Sequence, residues 1–196
     1  MAPGLVELSD EALMVRCAQA GPAEARDLVG ELARRHLERL AGFLLGITGE
    51  REAALDLAQE AFVRVFKYRQ RYRDSGRFST WLYTIGRNLA LNELRNRKLR
   101  PRTLASESGE RDPLSAVNSG GEGPARAAER GDLRQAVRAA ILELPEAFRS
   151  VVVLCDLEER SYAEAAEILE VPIGTVRSRL SRARTQLEQR LRKLVR

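Results

Sequence analysis

The sequence predicts an all-α protein built from two small helical domains joined by a flexible linker. Apolar residues recur at helical spacing through most of the 196 residues, and no convincing pair of strands appears. Residues 103–129, TLASESGERDPLSAVNSGGEGPARAAE, are rich in Ser, Gly, Pro and acids and almost free of bulky apolar groups. Such a stretch buries too little surface to offset its ordering entropy. Last, Ser161 to Leu187 holds two short helical patterns separated by Val171-Pro172. The expected organisation is therefore a domain over 8–102, an acidic linker over 103–129 and a domain over 130–196, with no internal repeat.

In chain order, periodicity predicts helices over about 10–19, 22–46, 50–72 and 79–99 in the first domain. The second should hold helices over about 130–143, 146–158, 161–169 and 173–192. In the third helix Asp56, Gln59 and Glu60 share one face, while Phe62, Val63 and Phe66 can point into a core. Arg73-Asp74-Ser75-Gly76 is a turn signal, and Ser79 is a candidate N-cap for the helix that follows. On that helix Leu82, Gly86 and Leu89 can pack. Trp81, Thr84, Asn88, Asn92 and Arg95 fall together on another arc. A ring, amides and an arginine suit nucleic acid, because rings stack on unpaired bases, amides read base edges and Arg binds phosphate. Trp81 fits a domain core equally well. In helix 146–158, Phe148, Val152 and Leu154 should pack.

The last two helices carry the clearest signal. Ser161 and Glu164 form a Ser-x-x-Glu capping box, and Ala163, Ala165 and Ala166 let another helix approach closely. Pro172 breaks the pattern and is tolerated at the start of the next helix. There Ile173, Val176, Leu180, Ala183 and Leu187 make one apolar stripe. Arg177, Ser178, Ser181, Arg182 and Thr185 lie on a different arc, with Arg184 at its border. A solvated basic face would show the same arginines. The capping box, the paired helix and the Pro turn together point instead to a helix-turn-helix facing DNA.

Charge is sorted along the chain. Residues 1–60 are net −5, residues 61–102 hold 12 basic and 2 acidic groups for net +10, and residues 103–129 are net −3. Residues 130–172 are net −4 and residues 173–196 net +7. Two basic blocks predict two contacts with a polyanion, both weakened by salt through counterion release. Cys17, Cys155 and His36 have no metal-ligand spacing, so no metal site and no cofactor are expected. Two isolated cysteines suit small hydrophobes in a reducing compartment. No apolar run approaches the roughly 20 residues of a membrane span. The acidic start MAPGLVELSDEAL lacks a signal-peptide shape, so a cytoplasmic protein is expected. No Ser/His/Asp set or phosphate loop predicts catalysis or a small-molecule substrate.

Three motifs, in order, carry a resemblance. DLAQEAFVRVF resembles the segment of bacterial sigma factors that binds the clamp helices of RNA polymerase. FSTWLYTIGRNLALNELRNRK resembles the segment that opens and reads the −10 promoter element. LPEAFRSVVVLCDLEERSYAEAAEILEVPIGTVRSRLSRAR resembles the −35-reading domain. The match covers about residues 25–100 and 130–190, and the linker stands where housekeeping sigma factors carry their region 3. That combination is similar to the extracytoplasmic-function (group 4) sigma factors of the sigma-70 family.

The resemblance implies a non-enzymatic transcription initiation factor for a stress or envelope regulon, monomeric when free and held by an anti-sigma factor. It implies that Asp56, Gln59 and Glu60 contact core polymerase, although Asp56 also suits the helix dipole. The turn Tyr72, Arg73, Asp74, Ser75, Gly76, Arg77 and Phe78 would capture a flipped −10 base of the non-template strand. Trp81, Asn88, Asn92 and Arg95 would help hold that strand. Arg177, Ser178, Ser181 and Arg182 would make −35 base and edge contacts, with Thr175 and Arg184 on phosphate. Helix 146–158 would offer a face to the polymerase flap tip. The linker would be either a plain tether or an acidic mimic of nucleic acid.

Overall fold

A computed structural model describes residues 7–73, 76–99 and 124–194. Among them are eight α-helices and no strand. Ser9 caps α1 (Asp10–Gln19), its side chain accepting from the Ala12 N–H at 3.1 Å. Pro22 opens α2 (Pro22–Thr48) and Gly49 ends it in the left-handed conformation, φ 77°, with its N–H on the Leu45 carbonyl. Next come α3 (Arg51–Tyr68), a 3-10 turn over Arg69–Arg71, and α4 (Phe78–Leu99). The C-terminal half holds α5 (Pro124–Leu142) and α6 (Glu146–Val152), which runs into a π-helical turn over Val153–Leu157. It ends with α7 (Tyr162–Leu169) and α8 (Ile173–Leu194).

These spans follow the periodicity closely, with three differences. The fifth helix begins at Pro124, six residues before its expected start, so only residues 103–123 of the expected linker lie outside the described residues. Ser79 is not an N-cap, because α4 already begins at Phe78. The N–H of Phe78 donates instead to Glu11 of α1 at 3.0 Å, a cap supplied by tertiary structure. Val63, expected in the core with Phe62 and Phe66, is 58% exposed.

The first four helices enclose Leu13, Met14, Leu40, Phe43, Leu44, Phe78, Leu82 and Tyr83. The last four enclose Ile141, Leu144, Val152, Leu154, Ile168, Val176 and Leu180. Arg35 fastens α1 to α2, donating to Asp10 and the Leu8 carbonyl, while Glu31 accepts from Arg34 and Arg35 within α2. Those bonds, Arg34 first, hold the Glu31 carboxyl well below the usual carboxylate range, at about 2.

The two halves share one core. Gly46 on α2 lies against Val153: a Cβ at position 46 would sit 2.9 Å from both Val153 methyls. A Cβ at Gly49 would meet Leu142 at 3.0 Å. Arg149 of α6 donates to the carbonyls of Ile47, Leu142 and Leu144, tying the ends of α2 and α5 together. Nothing in the sequence pattern foretold this docking, because close helix approach at a single glycine leaves no periodic trace.

Candidate nucleic-acid interface

The helix-turn-helix is built as its sequence demands. Ser161 caps α7 by accepting from the Glu164 N–H at 3.2 Å, and Glu164 accepts from the Ser161 N–H at 3.0 Å. Glu170 takes the left-handed conformation, φ 54°, and Val171 donates back to the Ala166 carbonyl. This closes α7 and turns the chain into α8. The apolar stripe of α8 is buried at Val176, Leu180 and Ala183 and half-buried at Leu187, but Ile173 is 41% exposed, so burial begins one turn late.

Opposite that stripe, Arg177, Ser178, Ser181, Arg182, Arg184 and Thr185 are exposed and Thr175 is half-exposed. Arg177 and Arg182 form no ion pair among the described residues, which leaves both guanidinium groups presented to solvent. Ser178 donates to the Thr175 carbonyl at 3.1 Å, keeping its oxygen available as an acceptor. Arg184 is different: it forks onto Asp156 at 2.5 and 3.2 Å, a bond that raises its pKa above the ordinary arginine value. It is pre-positioned at the edge of the face rather than free upon it.

The first basic block forms a second surface. Arg71, Tyr72, Arg73, Gly76, Arg77, Thr80, Trp81 and Thr84 line an open pocket of about 380 Å³. The rings of Tyr72 and Trp81, 5.5 Å apart, make its floor, and the buried Phe78 ring backs Trp81 at 6.4 Å. Tyr72 donates through its hydroxyl to the Gly76 carbonyl at 3.1 Å, closing the turn on itself. Trp81 is half-buried, so it serves core and surface together. Phe78 is fully buried and touches only the inside of the pocket wall, a correction to its expected place on the DNA-facing turn. The reason is local: as the first residue of α4 it points back onto His36 and the core.

Asp74 and Ser75 lie outside the described residues. Asn88, Asn92 and Arg95 are exposed and continue the Trp81–Thr84 stripe along α4 for roughly 10 Å beyond Asn88 at 1.5 Å per residue. Sequence reading missed Arg71 and Thr80 as pocket residues. Their signals were weak, since Arg71 was one of twelve basic residues in its block and Thr80 has its place only once the turn folds back.

Asp56, Gln59 and Glu60 are exposed on α3, opposite its buried face of Ala54, Ala58, Ala61 and Val65. Exposed Val63 continues the same surface, and Glu60 pairs with Arg64 at 2.9 Å. The result is an acidic face with an apolar residue at its C-terminal end. Among the described residues no group of His, Cys, Asp and Glu could hold a metal ion, and no helix is long and apolar enough to cross a membrane.

Comparison with known proteins shows the family. The sequence profile of Sigma-70 region 2 matches residues 32–100, and that of Sigma-70, region 4 matches residues 134–187. The chain is 32% identical to the RNA polymerase sigma-H factor of Pseudomonas aeruginosa over 194 residues, covering 98% of each chain. It is 38% identical to the ECF RNA polymerase sigma factor SigE of Mycolicibacterium smegmatis, over 96% of this chain and 71% of that one. In fold it is similar to the sigma factor RpoE of Bartonella quintana, solved in complex with the anti-sigma factor NepR. That likeness has a TM-score of 0.66 at 24% identity, over 83% of this chain and 96% of that one.

Proposed function

We propose a division of labour for this chain, which belongs to the extracytoplasmic-function sigma factors of the sigma-70 family and acts in transcription initiation with RNA polymerase. Residues 8–102 hold core polymerase and read the −10 element as a melted strand. Residues 130–196 read the −35 element as duplex, and residues 103–129 connect them.

The pocket between the Tyr72–Arg77 turn and α4 carries this reading. Its aromatic floor and arginine rim suit an unstacked base and its phosphate. Flipping a base costs a few kcal/mol, which stacking on Tyr72 and Trp81 and ionic contact with Arg73 and Arg77 would offset. Asn88, Asn92 and Arg95 then track the strand along α4. On α8, Arg177 and Arg182 are the candidates for guanine edges, with Ser178 and Ser181 beside them and Thr175 and Arg184 on phosphate. The Asp56, Gln59 and Glu60 face of α3 meets the polymerase clamp helices, and α6 offers a face to the flap tip. The chain works as a monomer in the cytoplasm, catalyses no reaction of its own and serves a stress or envelope regulon. By analogy with the Bartonella quintana protein, an anti-sigma factor restrains it.

Run-off transcription with purified core polymerase over a randomised promoter library tests the proposal. Transcripts should start downstream of a paired −35 and −10 sequence. Core enzyme that initiates no better with the chain than without it would overturn the reading.

A further inference from the structure

Helix α1 supplies no residue to either proposed DNA surface or to the acidic face of α3, yet two of its side chains hold the residue on which the −10 pocket rests. Glu11 accepts from the backbone N–H of Phe78 at 3.0 Å. Its neighbour Asp10 lies 2.5 Å from Nε2 of His36, and the His36 ring meets the Phe78 ring edge-on at 5.5 Å. Arg35 donates to the other Asp10 oxygen at 3.0 Å, which fixes that carboxylate in place. Phe78 in turn backs both rings of the floor, Tyr72 at 6.5 Å and Trp81 at 6.4 Å between centroids. Adjacent acids of one helix therefore grip Phe78 twice, at its backbone and, through His36, at its ring.

The grip falls where α4 is weakest. The first four N–H groups of a helix have no partner within it, and Phe78 is the first residue of α4. Thr80 and Trp81 both donate to the single carbonyl of Arg77, at 3.1 and 3.3 Å, a shared bond common at helix ends. Trp81 thus stands on a first turn held by one shared carbonyl, by Glu11 and by the buried Phe78 ring. Ends of this kind open locally at little cost once a cap is lost. Opening would swing Trp81 away from Tyr72, 5.5 Å across the pocket.

We propose that Asp10 and Glu11, with His36 between Asp10 and the Phe78 ring, are positioning residues of the −10 pocket. Helix α1 sets the Trp81 ring against Tyr72 and so governs single-strand affinity without touching DNA. The ligand is a single DNA strand, whose bases stack on those two rings. The inference rests on the sigma-factor reading above and adds the helix that keeps its pocket in shape. Charge alone predicts the reverse sign. Removing an acid beside the arginine rim would tighten a phosphate strand, whereas losing a brace loosens it.

Trp81 is the one tryptophan of the chain, so its emission reports on the pocket with no DNA present. Glu11→Ala should shift that emission to the red. It should also weaken binding of a fluorescent mixed-sequence single strand to the full chain by about three- to tenfold, because the strand must restore the turn before stacking. Glu11→Gln keeps an oxygen that accepts from Phe78, and should restore the emission and, within about twofold, the affinity. Asp10→Ala leaves the cap intact and should act in the same direction more weakly. Glu24→Ala is the control: it cuts the exposed Arg16 tie between α1 and α2, which neither His36 nor Phe78 shares, and should change neither reading.

Emission and affinity unmoved by Glu11→Ala, or moved equally by Glu24→Ala, overturn the proposal. Tighter strand binding by Glu11→Ala overturns it too, in favour of charge. Should Glu11→Ala not fold, Asp10→Ala against Glu24→Ala decides by the same criteria. No run-off transcript from the unaltered chain rejects the sigma-factor reading instead, and the Trp81 emission still judges the brace.

Discussion

The two surfaces proposed to face DNA are made in opposite ways. On α8 the reading face is a property of one helix: its arginines and serines stand on the arc away from Val176, Leu180 and Ala183, and stay exposed whatever lies behind. The −10 surface is assembled. It needs a turn closed by Tyr72 on Gly76, a helix start capped from α1 by Glu11, and a ring floor anchored by buried Phe78. A surface borne by one amphipathic helix is robust to distant change. A surface assembled from three segments inherits the stability of the core beneath it.

Substitutions can break that contrast. The largest effect should come from Phe78→Ala, at about 3–5 kcal/mol of folding stability for a fully buried ring, read as a lowered denaturation midpoint. It should abolish −10 strand binding although Phe78 itself touches no DNA. If stability fell but strand binding survived, the assembled-surface account would fail.

Arg182→Ala should do the converse. It should weaken −35-dependent promoter binding by about 1–3 kcal/mol, measured on duplex with and without the −35 sequence. The melting temperature and affinity for core polymerase should not move. An unaltered response to −35 mutation would remove Arg182 from the reading set.

Glu60→Ala should reduce affinity for core polymerase by about 1 kcal/mol, roughly fivefold in a binding titration. Both DNA surfaces should remain intact. Unchanged polymerase affinity would take Glu60 out of that face.

The mildest test is pH. The folded Glu31 carboxyl titrates at about 2, below its ordinary value of 4.5, so its stabilisation is fully present above about pH 4.5. It is lost as pH falls from there through about 2. Glu31→Gln should flatten that part of the stability curve, followed by circular dichroism in denaturant. A curve of unchanged slope would place the acid sensitivity elsewhere.

Much of this was legible beforehand because it is local. Helix spans follow from period, and the Ser161–Glu164 box and the break at Pro172 follow from side chains bonding to backbone a few residues away. The arginine face of α8 follows from 100° per residue. Where reading failed, a distant segment intervened. Ser79 was displaced as a cap by Glu11, sixty-eight positions upstream. No helix among the described residues covers Val63, and Phe78 was drawn inward by His36 and its neighbours.

By itself, then, the sequence determined an all-helical chain with two basic blocks and an exposed acidic face on α3, since propensity, capping and periodic burial act within a turn or two. Only the tertiary structure decided that the Tyr72–Arg77 turn and α4 would form a pocket, and that Glu164 would close on Arg77 across eighty-seven residues. The second contact joins the two halves, which also approach closely at Gly46 and Gly49. A missing Cβ has no periodicity, so its meaning appears only when its neighbour arrives.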